Sequence, residues 1–343
     1  MKITAVAPCK IIITGEHGVV HGSPALAMAI EPFNEVTLEN KPGKPNISIK
    51  LKENKVELNE KGEVISGNID WQVFLELTKR LIENGIKIKD AVSIEIKSNV
   101  PKGVGASSSV AAALCIALYK YAGVSFTKES LFEDVQWSDE IAHGGRAGGI
   151  DAMTVIAGST KVQKTVADGK LKWNFEHVDV SLPLGSELIV IDTSSNGKRS
   201  STAETVRKVS NALGFVKPDG SIKQITEFSE TDKKKVEPFK KIFEKIVKQL
   251  NLNGDPITLG KAMDENHNLL ASFGITSDAI ELARRTSMKN GAYGSKISGG
   301  GGEGGAVICL VKKADAENII AKLKEKNFNA FKAKPTKGAV EWN

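Results

Sequence analysis

Cysteine is scarce in this chain of 343 residues. The three cysteines, Cys9, Cys115 and Cys309, each lie in an apolar or small-residue run, and none has the spacing of a metal site. The low count and the spacing exclude a cysteine-based metal module and indicate a reducing compartment. Long apolar runs are also lacking: none approaches the roughly 20 residues that span a bilayer, and the first residues have no signal-peptide core. The sequence predicts a cytoplasmic protein with no membrane partner.

Charge of one sign is not in large excess. The chain has 47 basic and 41 acidic residues, a formal net charge of +6, and its lysine cluster at 233–235 lies among acids, as on a solvated surface. A nucleic-acid binder concentrates far more positive charge on one face, so we expect no nucleic-acid partner, although the small excess would help to attract anionic substrates. With 41% hydrophobic and 26% charged residues, the chain fits a soluble globular protein of about two domains.

Strand-like and helix-like segments alternate along the chain, which predicts an α/β or α+β architecture. Period-two and β-branched runs predict strands at 10–14, 35–39, 47–51 and 92–97. Helical periodicity predicts helices at 71–84, 108–122 and 128–141, the second of them apolar nearly all round. A composition shift at 181–185 predicts a domain boundary. Beyond it, strands are predicted at 187–192 and 305–311 and helices at 234–250, 258–273 and 277–290.

The segment from Pro101 to Ala113 is made of small residues that run into an alanine-rich helix. Glycines and serines let backbone N–H groups approach an anion closely, and the free N–H groups and dipole at a helix start favour negative charge. This predicts a cradle for a nucleotide phosphate; an ordinary capped helix after a tight turn is the alternative. The candidate residues are Pro101, Gly103, Gly105, Ala106, Ser107, Ser108 and Ser109.

Two other segments carry charge into apolar or glycine-rich surroundings. Lys10 enters an apolar strand that ends in Gly15-Glu16-His17, and buried charge of this kind needs a partner; a snorkelling lysine and a capping pair are the alternative. Glu140 ends a helix, and a glycine-rich turn then leads to Asp151. Two such carboxylates can divide the work of a kinase, one holding magnesium and the other taking a hydroxyl proton. A surface loop with a solvated aspartate is the alternative.

A glycine cluster from Gly294 to Ala306 precedes the predicted strand at 305–311. A plain turn needs one or two glycines, so we expect a ligand or another strand to approach this cluster closely. Gly299, Gly301 and Gly304 match the pattern GxGxxG, but no strand is predicted before them and no suitable βαβ unit follows, so a dinucleotide fingerprint is not indicated. The phosphate-loop pattern that ends in Gly-Lys-Ser/Thr is absent as well.

These segments, in this order, resemble the three motifs of the GHMP kinase superfamily, named for galactokinase, homoserine kinase, mevalonate kinase and phosphomevalonate kinase. The motifs correspond to 8–22, 101–112 and 296–306, and three matches in order are specific where one would be weak. Within the superfamily, 15–22 and the helical segment 263–270 resemble the mevalonate kinase family. The resemblance implies an α+β fold with a ribosomal-protein-S5-domain-2-like N-terminal domain at 1–183 and a ferredoxin-like C-terminal domain at 184–343.

The resemblance also implies an activity, transfer of the ATP γ-phosphoryl group to the 5-hydroxyl of (R)-mevalonate in isoprenoid biosynthesis, with Mg²⁺ as cofactor and a homodimer as assembly. Asp151 would be the catalytic aspartate, and Lys10 would lower the pKa of the substrate hydroxyl or stabilise the transferring charge. The remaining implied residues are the metal ligands Ser109 and Glu140, which lies eleven positions before Asp151, the substrate-binding residues Glu16, His17, Thr202 and Arg146, and the ATP-binding glycines Gly299, Gly300 and Gly301.

The chain departs from the superfamily pattern at several positions. Cys9 replaces the glycine usual before the lysine, Ser107 replaces a glycine of the second motif, and 146–149 replaces a Pro-Ser-Gly segment. Glu303 interrupts the third glycine run, and we expect it to point away from ATP or to pair with a cation, because a carboxylate would repel phosphates. Arg146 is expected near the mevalonate carboxylate or the γ-phosphate, with a plain surface arginine as the alternative.

Two other functions remain open from the sequence. One is a related kinase that phosphorylates another hydroxyl of mevalonate, phosphomevalonate or a small sugar. The other is a non-catalytic regulator that binds a nucleotide or metabolite. Retention of Lys10, Glu140 and Asp151 argues against the regulator, since a binding module needs no general base.

Overall fold

Two β-sheets with helices packed on them organise the structure, a computed structural model that describes residues 1–101, 103–142, 148–194 and 200–339. The first sheet lies within residues 2–177 and the second within residues 186–333. The predicted two-domain α+β fold is therefore confirmed. The proposed boundary between 183 and 184 falls between the sheets and stays a prediction.

The first sheet has eight strands in the described part of the chain. They are β1 (Lys2–Thr14), β2 (Ala25–Lys41), β3 (Asn46–Leu51), β4 (Asn54–Asn59), β5 (Val64–Gly67), β6 (Ala91–Lys97), β7 (Thr160–Ala167) and β8 (Lys170–His177). Their order is β5-β4-β3-β6-β2-β7-β8, with β1 paired to β2, and β3 with β6 is the parallel pair. The predicted strands 10–14 and 35–39 are parts of the longer β1 and β2. Residues 25–30 are buried without interruption, so this part of β2 has no period-two pattern to reveal it.

Four helices accompany this sheet within the described residues: α1 (Val73–Glu83), α2 (Ala106–Ala122), α3 (Lys128–Ala142) and α4 (Ile150–Ala157). Helix α2 is buried from Ser108 to Tyr119, as its apolar circumference predicted, and its alanines let it pack closely against β1 and β2. The ends of α1, α2 and α3 lie within two residues of the predicted ends. The short helix α4 was not predicted.

The second sheet contains β9 (Ser186–Asp192), β10 (Gly294–Ser298), β11 (Ala306–Lys312) and β12 (Asn329–Ala333), all antiparallel in the order β10-β11-β9-β12. Its helices in the described residues are α5 (Thr202–Ala212), α6 (Glu230–Gln249), α7 (Pro256–Ser272), α8 (Asp278–Lys289) and α9 (Ala316–Lys324). With helices between β9 and β10 and between β11 and β12, the chain has the βαββαβ order of a ferredoxin-like domain.

Strand β10 corrects one prediction from the sequence. A strand does precede the third glycine run, although Gly294-Ser295-Lys296-Ile297-Ser298 is too polar to be recognised as one. All five residues are buried, because β10 lies between α7, α8 and the end of β1. The antiparallel strand β11 follows the glycines in place of a helix, so the dinucleotide fingerprint stays excluded.

The two halves share a hydrophobic core. Ile11 and Ile13 of β1 belong to the same buried cluster as Val190 of β9 and Ile308 of β11. Cys9, the departure from the superfamily glycine, is fully buried in this cluster. The end of the chain also returns to the first half, since the Thr336 amide donates to the Ala29 carbonyl at 2.9 Å. No helix in the described ranges is long and apolar enough to cross a membrane.

Candidate active site

Lys10 and Asp151 form an ion pair at the centre of the site. The Lys10 Nζ atom lies 2.9 Å from Asp151 Oδ1, and the Lys10 side chain is 7% exposed where that of Asp151 is 22% exposed. Lys10 comes from the buried β1, and Asp151 from the first turn of α4, where the helix dipole favours a carboxylate. The lysine predicted to need a partner therefore has one, and the carboxylate that neutralises it stays accessible to a substrate.

The cradle lies directly against Lys10. The Lys10 amide donates to the Val104 carbonyl at 2.8 Å, which fixes the loop before α2 to β1. Gly105, the residue before α2, has φ +71°, and a Cβ built there would lie 2.8 Å from Lys10 Cγ and 2.9 Å from Lys10 Cε. A side chain at this position would displace the lysine. Gly105 therefore lets the start of α2 and the Lys10–Asp151 ion pair lie side by side.

The N-terminus of α2 has no side-chain cap, because its N-cap residue is Gly105. Helices α5, α6, α7 and α8 are capped by the side chains of Ser201, Ser229, Asp255 and Ser277. The first N–H groups of α2 have no intrahelical partner, and an anion can satisfy them. The predicted cradle therefore has the geometry of a phosphate site at Gly103, Gly105, Ala106 and Ser107, next to Pro101.

The structure does not bring the predicted metal ligands Ser109 and Glu140 together. Ser109 is fully buried and its hydroxyl donates to the Ala7 carbonyl at 2.8 Å, so it fastens α2 to β1. Glu140 is exposed, and its Oε1 accepts from Gln136 Nε2 at 3.3 Å. Instead, the Ser108 hydroxyl lies 2.7 and 2.8 Å from the carboxylate oxygens of the buried Asp139. The serine–carboxylate pair is thus one residue earlier than predicted on both helices.

Ser108 and Asp139 have the chemistry that magnesium needs. Both offer hard oxygen donors, and Ser108 belongs to the first turn of α2, at the cradle. Magnesium in kinases is commonly held by one or two protein oxygens together with substrate phosphates, so this donor pair fits the ion.

Glu16 and His17 are buried at the end of β1 and contact the second half of the chain. Glu16 Oε1 accepts a hydrogen bond from Lys296 Nζ, and His17 Nε2 lies 3.0 Å from the Gly300 carbonyl oxygen. A carbonyl accepts only, so Nε2 carries the proton; burial lowers the pKa of His17 to about 4 and keeps the ring neutral. His17 Nδ1 is therefore an acceptor. Together with Thr14 Oγ1 and Glu16 Oε2, it has no partner among the described residues.

The third glycine motif lies beside this pair. A Cβ at Gly301 would lie 2.5 Å from the Ile275 carbonyl oxygen, so part of the glycine run serves close approach of the protein's own backbone. A Cβ at Gly300 would lie 3.5 Å from Thr202 Oγ1, which puts the predicted substrate residue Thr202 against the motif. At Gly299 a Cβ would meet no described atom within 4 Å. Glu303 is exposed between buried neighbours, and its orientation relative to ATP stays a prediction.

Two further points concern predicted and missed residues. Arg146 lies outside the described residues, and its role stays a prediction. Lys296 received no role from the sequence, although it is fully buried and pairs with Glu16 across 280 residues of chain. The sequence signal for a role of Lys296 was its position between Ser295 and Ile297, in a segment that ends in glycines. This signal was weak, because the strand that contains Lys296 was not predicted.

Sequence and structure comparisons show which proteins this chain is similar to. The N-terminal domain model of the GHMP kinases matches residues 71–159, and the C-terminal domain model matches 243–329. The chain is 30% identical to the mevalonate kinase of Saccharolobus solfataricus over 93% of each chain. It is 28% identical to that of Thermococcus onnurineus over 92% of this chain and 91% of the relative. The crystal structure of the Methanococcus jannaschii mevalonate kinase superposes with a TM-score of 0.76 at 20% identity, covering 98% of both chains.

A paired lysine and aspartate beside a small-residue helix start, in a two-sheet α+β fold matched by both domain models, define a GHMP kinase. The identity to the S. solfataricus enzyme, over nearly the full length of both chains, shows further that the chain belongs to the mevalonate kinase family.

Proposed function

We propose that this protein transfers the γ-phosphoryl group of ATP to the 5-hydroxyl of (R)-mevalonate and releases 5-phosphomevalonate and ADP. The observation that carries the proposal is the Lys10–Asp151 ion pair, which lies beside the uncapped start of α2 on the strand that leads to Glu16 and His17. The class of reaction is supported by the two domain models, and the choice of alcohol by the mevalonate kinases that the chain resembles.

The nucleotide has a place on one side of the ion pair. The N–H groups at the start of α2 offer donors to its phosphates. From the family resemblance, Gly299, Gly300 and Gly301 are proposed as further ATP contacts. Ser108 and Asp139 would hold Mg²⁺, which when bound neutralises charge on the phosphates. This assignment replaces Ser109 and Glu140 in the proposal.

The alcohol has a place on the other side. Thr14 Oγ1, Glu16 Oε2 and His17 Nδ1 are buried polar atoms without a described partner, and a buried polar atom left unpaired costs about 1–3 kcal/mol. Substrate hydroxyl groups can supply the missing hydrogen bonds, because a hydroxyl donates to acceptors such as Glu16 Oε2 and His17 Nδ1 and can also accept from Thr14 Oγ1. Thr202 and Arg146 are proposed as further substrate contacts.

The ion pair then performs the transfer. Asp151 orients the attacking hydroxyl and accepts its proton as the oxygen–phosphorus bond forms, while the bond from the γ-phosphorus to the bridging oxygen breaks and ADP departs with that electron pair. Lys10 holds Asp151 in position and stabilises the negative charge that develops on the alcohol oxygen and the transferring phosphoryl group. Burial of the lysine strengthens this interaction, because less water screens its charge.

A coupled assay of ADP release tests the proposal. We expect ADP release that depends on both mevalonate and magnesium, and a phosphorus NMR spectrum with a new phosphomonoester at the primary alcohol. A panel with phosphomevalonate, galactose and homoserine in place of mevalonate identifies a related kinase if one of these is used instead. Folded protein that binds ATP and turns over none of the four contradicts the proposal.

The proposal extends to assembly and location. A homodimer is proposed from the family resemblance alone, and light scattering on the purified protein tests it. A cytoplasmic location is proposed because all three cysteines are buried free thiols, which suits a reducing compartment. Cell fractionation tests this second part.

A further inference from the structure

Lys296 is a fully buried cation for which the proposed reaction has so far given no role. Its Nζ donates to Glu16 Oε1 and to the Ile297 carbonyl, the latter at 2.5 Å. Glu16 is only 2% exposed and Lys296 is 0% exposed, so neither charge is solvated. Replacing such a pair by apolar groups commonly leaves stability unchanged or raises it, so stability alone does not account for it.

The pair is part of a wider attachment of 12–21 to the second half of the chain. Ser298 Oγ donates to the Ile12 carbonyl at 3.0 Å and lies 2.9 Å from the Ile12 amide, which donates to it. His17 donates to the Gly300 carbonyl, and His21 Nε2 lies 3.2 Å from Ser210 Oγ. Ser210 donates its own proton to the Val206 carbonyl, so His21 is the donor in that contact. Hydrogen bonds from β10, the third glycine motif and α5 therefore hold residues 12–21 against the second half of the chain.

Glu16 and His17 each bind the second half of the chain through one side-chain polar atom, and each has a second polar atom without a described partner. Glu16 gives Oε1 to Lys296 and leaves Oε2; His17 gives Nε2 to Gly300 and leaves Nδ1. His17 also has φ 60°, a backbone conformation that is unfavourable for a side chain with a Cβ and persists where surrounding contacts enforce it. The contacts that hold these two residues therefore set the orientation of Glu16 Oε2 and His17 Nδ1.

We propose that Lys296 is a positioning residue for the acceptor alcohol. It acts through Glu16, which it holds against the start of the third glycine motif, so that Glu16 Oε2 and His17 Nδ1 face the substrate hydroxyl groups. This inference rests on the proposed function, since it assigns the alcohol to the Glu16–His17 side of the Lys10–Asp151 pair. Lys296 itself touches neither the alcohol nor the phosphates.

The test compares Lys296→Met with the double variant Glu16→Gln/Lys296→Met and with the control Lys245→Met. Lys245 also forms an ion pair in the second half, with Glu265 at 2.6 Å, but its side chain is 54% exposed. We expect Lys296→Met to raise the KM for the alcohol about tenfold or more, as a misplaced binding group does, with little change in the KM for ATP. The double variant, which buries no unpaired charge, should regain the unfolding midpoint and keep the raised KM. Lys245→Met should match the wild type.

A readout without turnover separates this inference from the proposed function. ¹⁵N NMR of the histidine rings, assigned with His17→Gln, should report the Nε2–H tautomer of His17 in the wild type and a changed signal in the two Lys296 variants. If Lys296→Met does not fold, the double variant carries both measurements.

Two results would overturn the role of Lys296. One is a loss of kcat in proportion to the unfolded fraction, with both KM values and the His17 signal unchanged. The other is a double variant whose alcohol KM returns to the wild-type value, because Lys296 would then only neutralise Glu16. Wild-type protein that does not use mevalonate contradicts the proposed function instead. In that case, a change of the His17 signal between the wild type and the Lys296 variants still tests whether Lys296 positions this site.

Discussion

The hydroxyl oxygen of Ser108 lies within 2.8 Å of both carboxylate oxygens of Asp139, and 31 residues of chain separate the two. The contact joins the first turn of α2 to the last turns of α3. It places a carboxylate where the proposed nucleotide phosphates and their metal ion would lie.

This contact separates two assignments of the metal ligands. Asp139→Asn should raise the magnesium concentration needed for half-maximal turnover about 10- to 100-fold, because a neutral amide is a much weaker ligand. Glu140→Gln, one residue further on the exposed face, should leave it unchanged. Magnesium titrations at saturating ATP measure both. The opposite ranking of the two variants would restore the assignment made from sequence spacing.

Asp151→Asn should reduce turnover by about 10²- to 10⁴-fold and leave the affinity for ATP nearly unchanged. The amide keeps the size of the side chain but can neither accept the hydroxyl proton nor balance the charge of Lys10. Single-turnover measurements of phosphoryl transfer and equilibrium binding of a fluorescent ATP analogue provide the two quantities. Full activity in the variant would mean that another group serves as the base.

Gly105→Ala should be more harmful to activity than Gly123→Ala, although both glycines flank α2 with positive φ, +71° and +68°. Either alanine costs about 1–2 kcal/mol of backbone strain. At Gly105 the new Cβ would also meet the Lys10 side chain at 2.8 Å, whereas at Gly123 it would meet no described atom within 4 Å. We expect a loss in urea-unfolding free energy for both variants, at least as large for Gly105→Ala, and a fall in kcat for Gly105→Ala alone. Equal kcat values would show that the lysine accommodates the methyl group.

Acid should destabilise the protein through its buried histidines. Burial lowers the pKa of His17 from 6.5 to about 4, so the unfolded chain takes up a proton on this ring at a higher pH than the folded one. The contribution of this ring to stability is therefore constant above pH 7 and falls as the pH drops from about 6.5 towards 4, by about 2 kcal/mol between pH 7 and pH 5. Urea unfolding at the two pH values measures the loss, and His17→Gln should show a smaller one. An equal loss in the variant would contradict a neutral His17.

The sequence identified residues by their types and missed how helices orient them. Lys10 and Asp151 were recognised because a charge in an apolar strand and a carboxylate after glycines are unusual in themselves. The serine and carboxylate that meet are each one residue earlier than the predicted metal ligands, and neighbours on a helix point about 100° apart. Leu131, Asp134, Val135, Ser138 and Asp139 form the buried stripe of α3, at intervals of three and four, and Glu140 lies outside it. Helical periodicity therefore favours Asp139, whereas spacing to Asp151 favoured Glu140.

Tertiary contacts account for what no local pattern revealed. Strand β10 is buried through its neighbours α7, α8 and β1 and not through its composition, so its polar sequence resembles a loop. The partner of Glu16 could not be identified for the same reason, since Lys296 reaches it from a distant part of the chain.

The return of residues 334–339 to the first half has a consequence for how the molecule can be divided. The Lys334 carbonyl accepts from the Glu31 amide, and the Ala339 amide donates to the Val155 carbonyl on α4, the helix that begins just before Asp151. A fragment that stops after the first sheet would lack the backbone hydrogen bond from Ala339 to this helix. Two fragments split near residue 183 and co-expressed would therefore have to form these backbone bonds between separate chains to support the helix that carries Asp151.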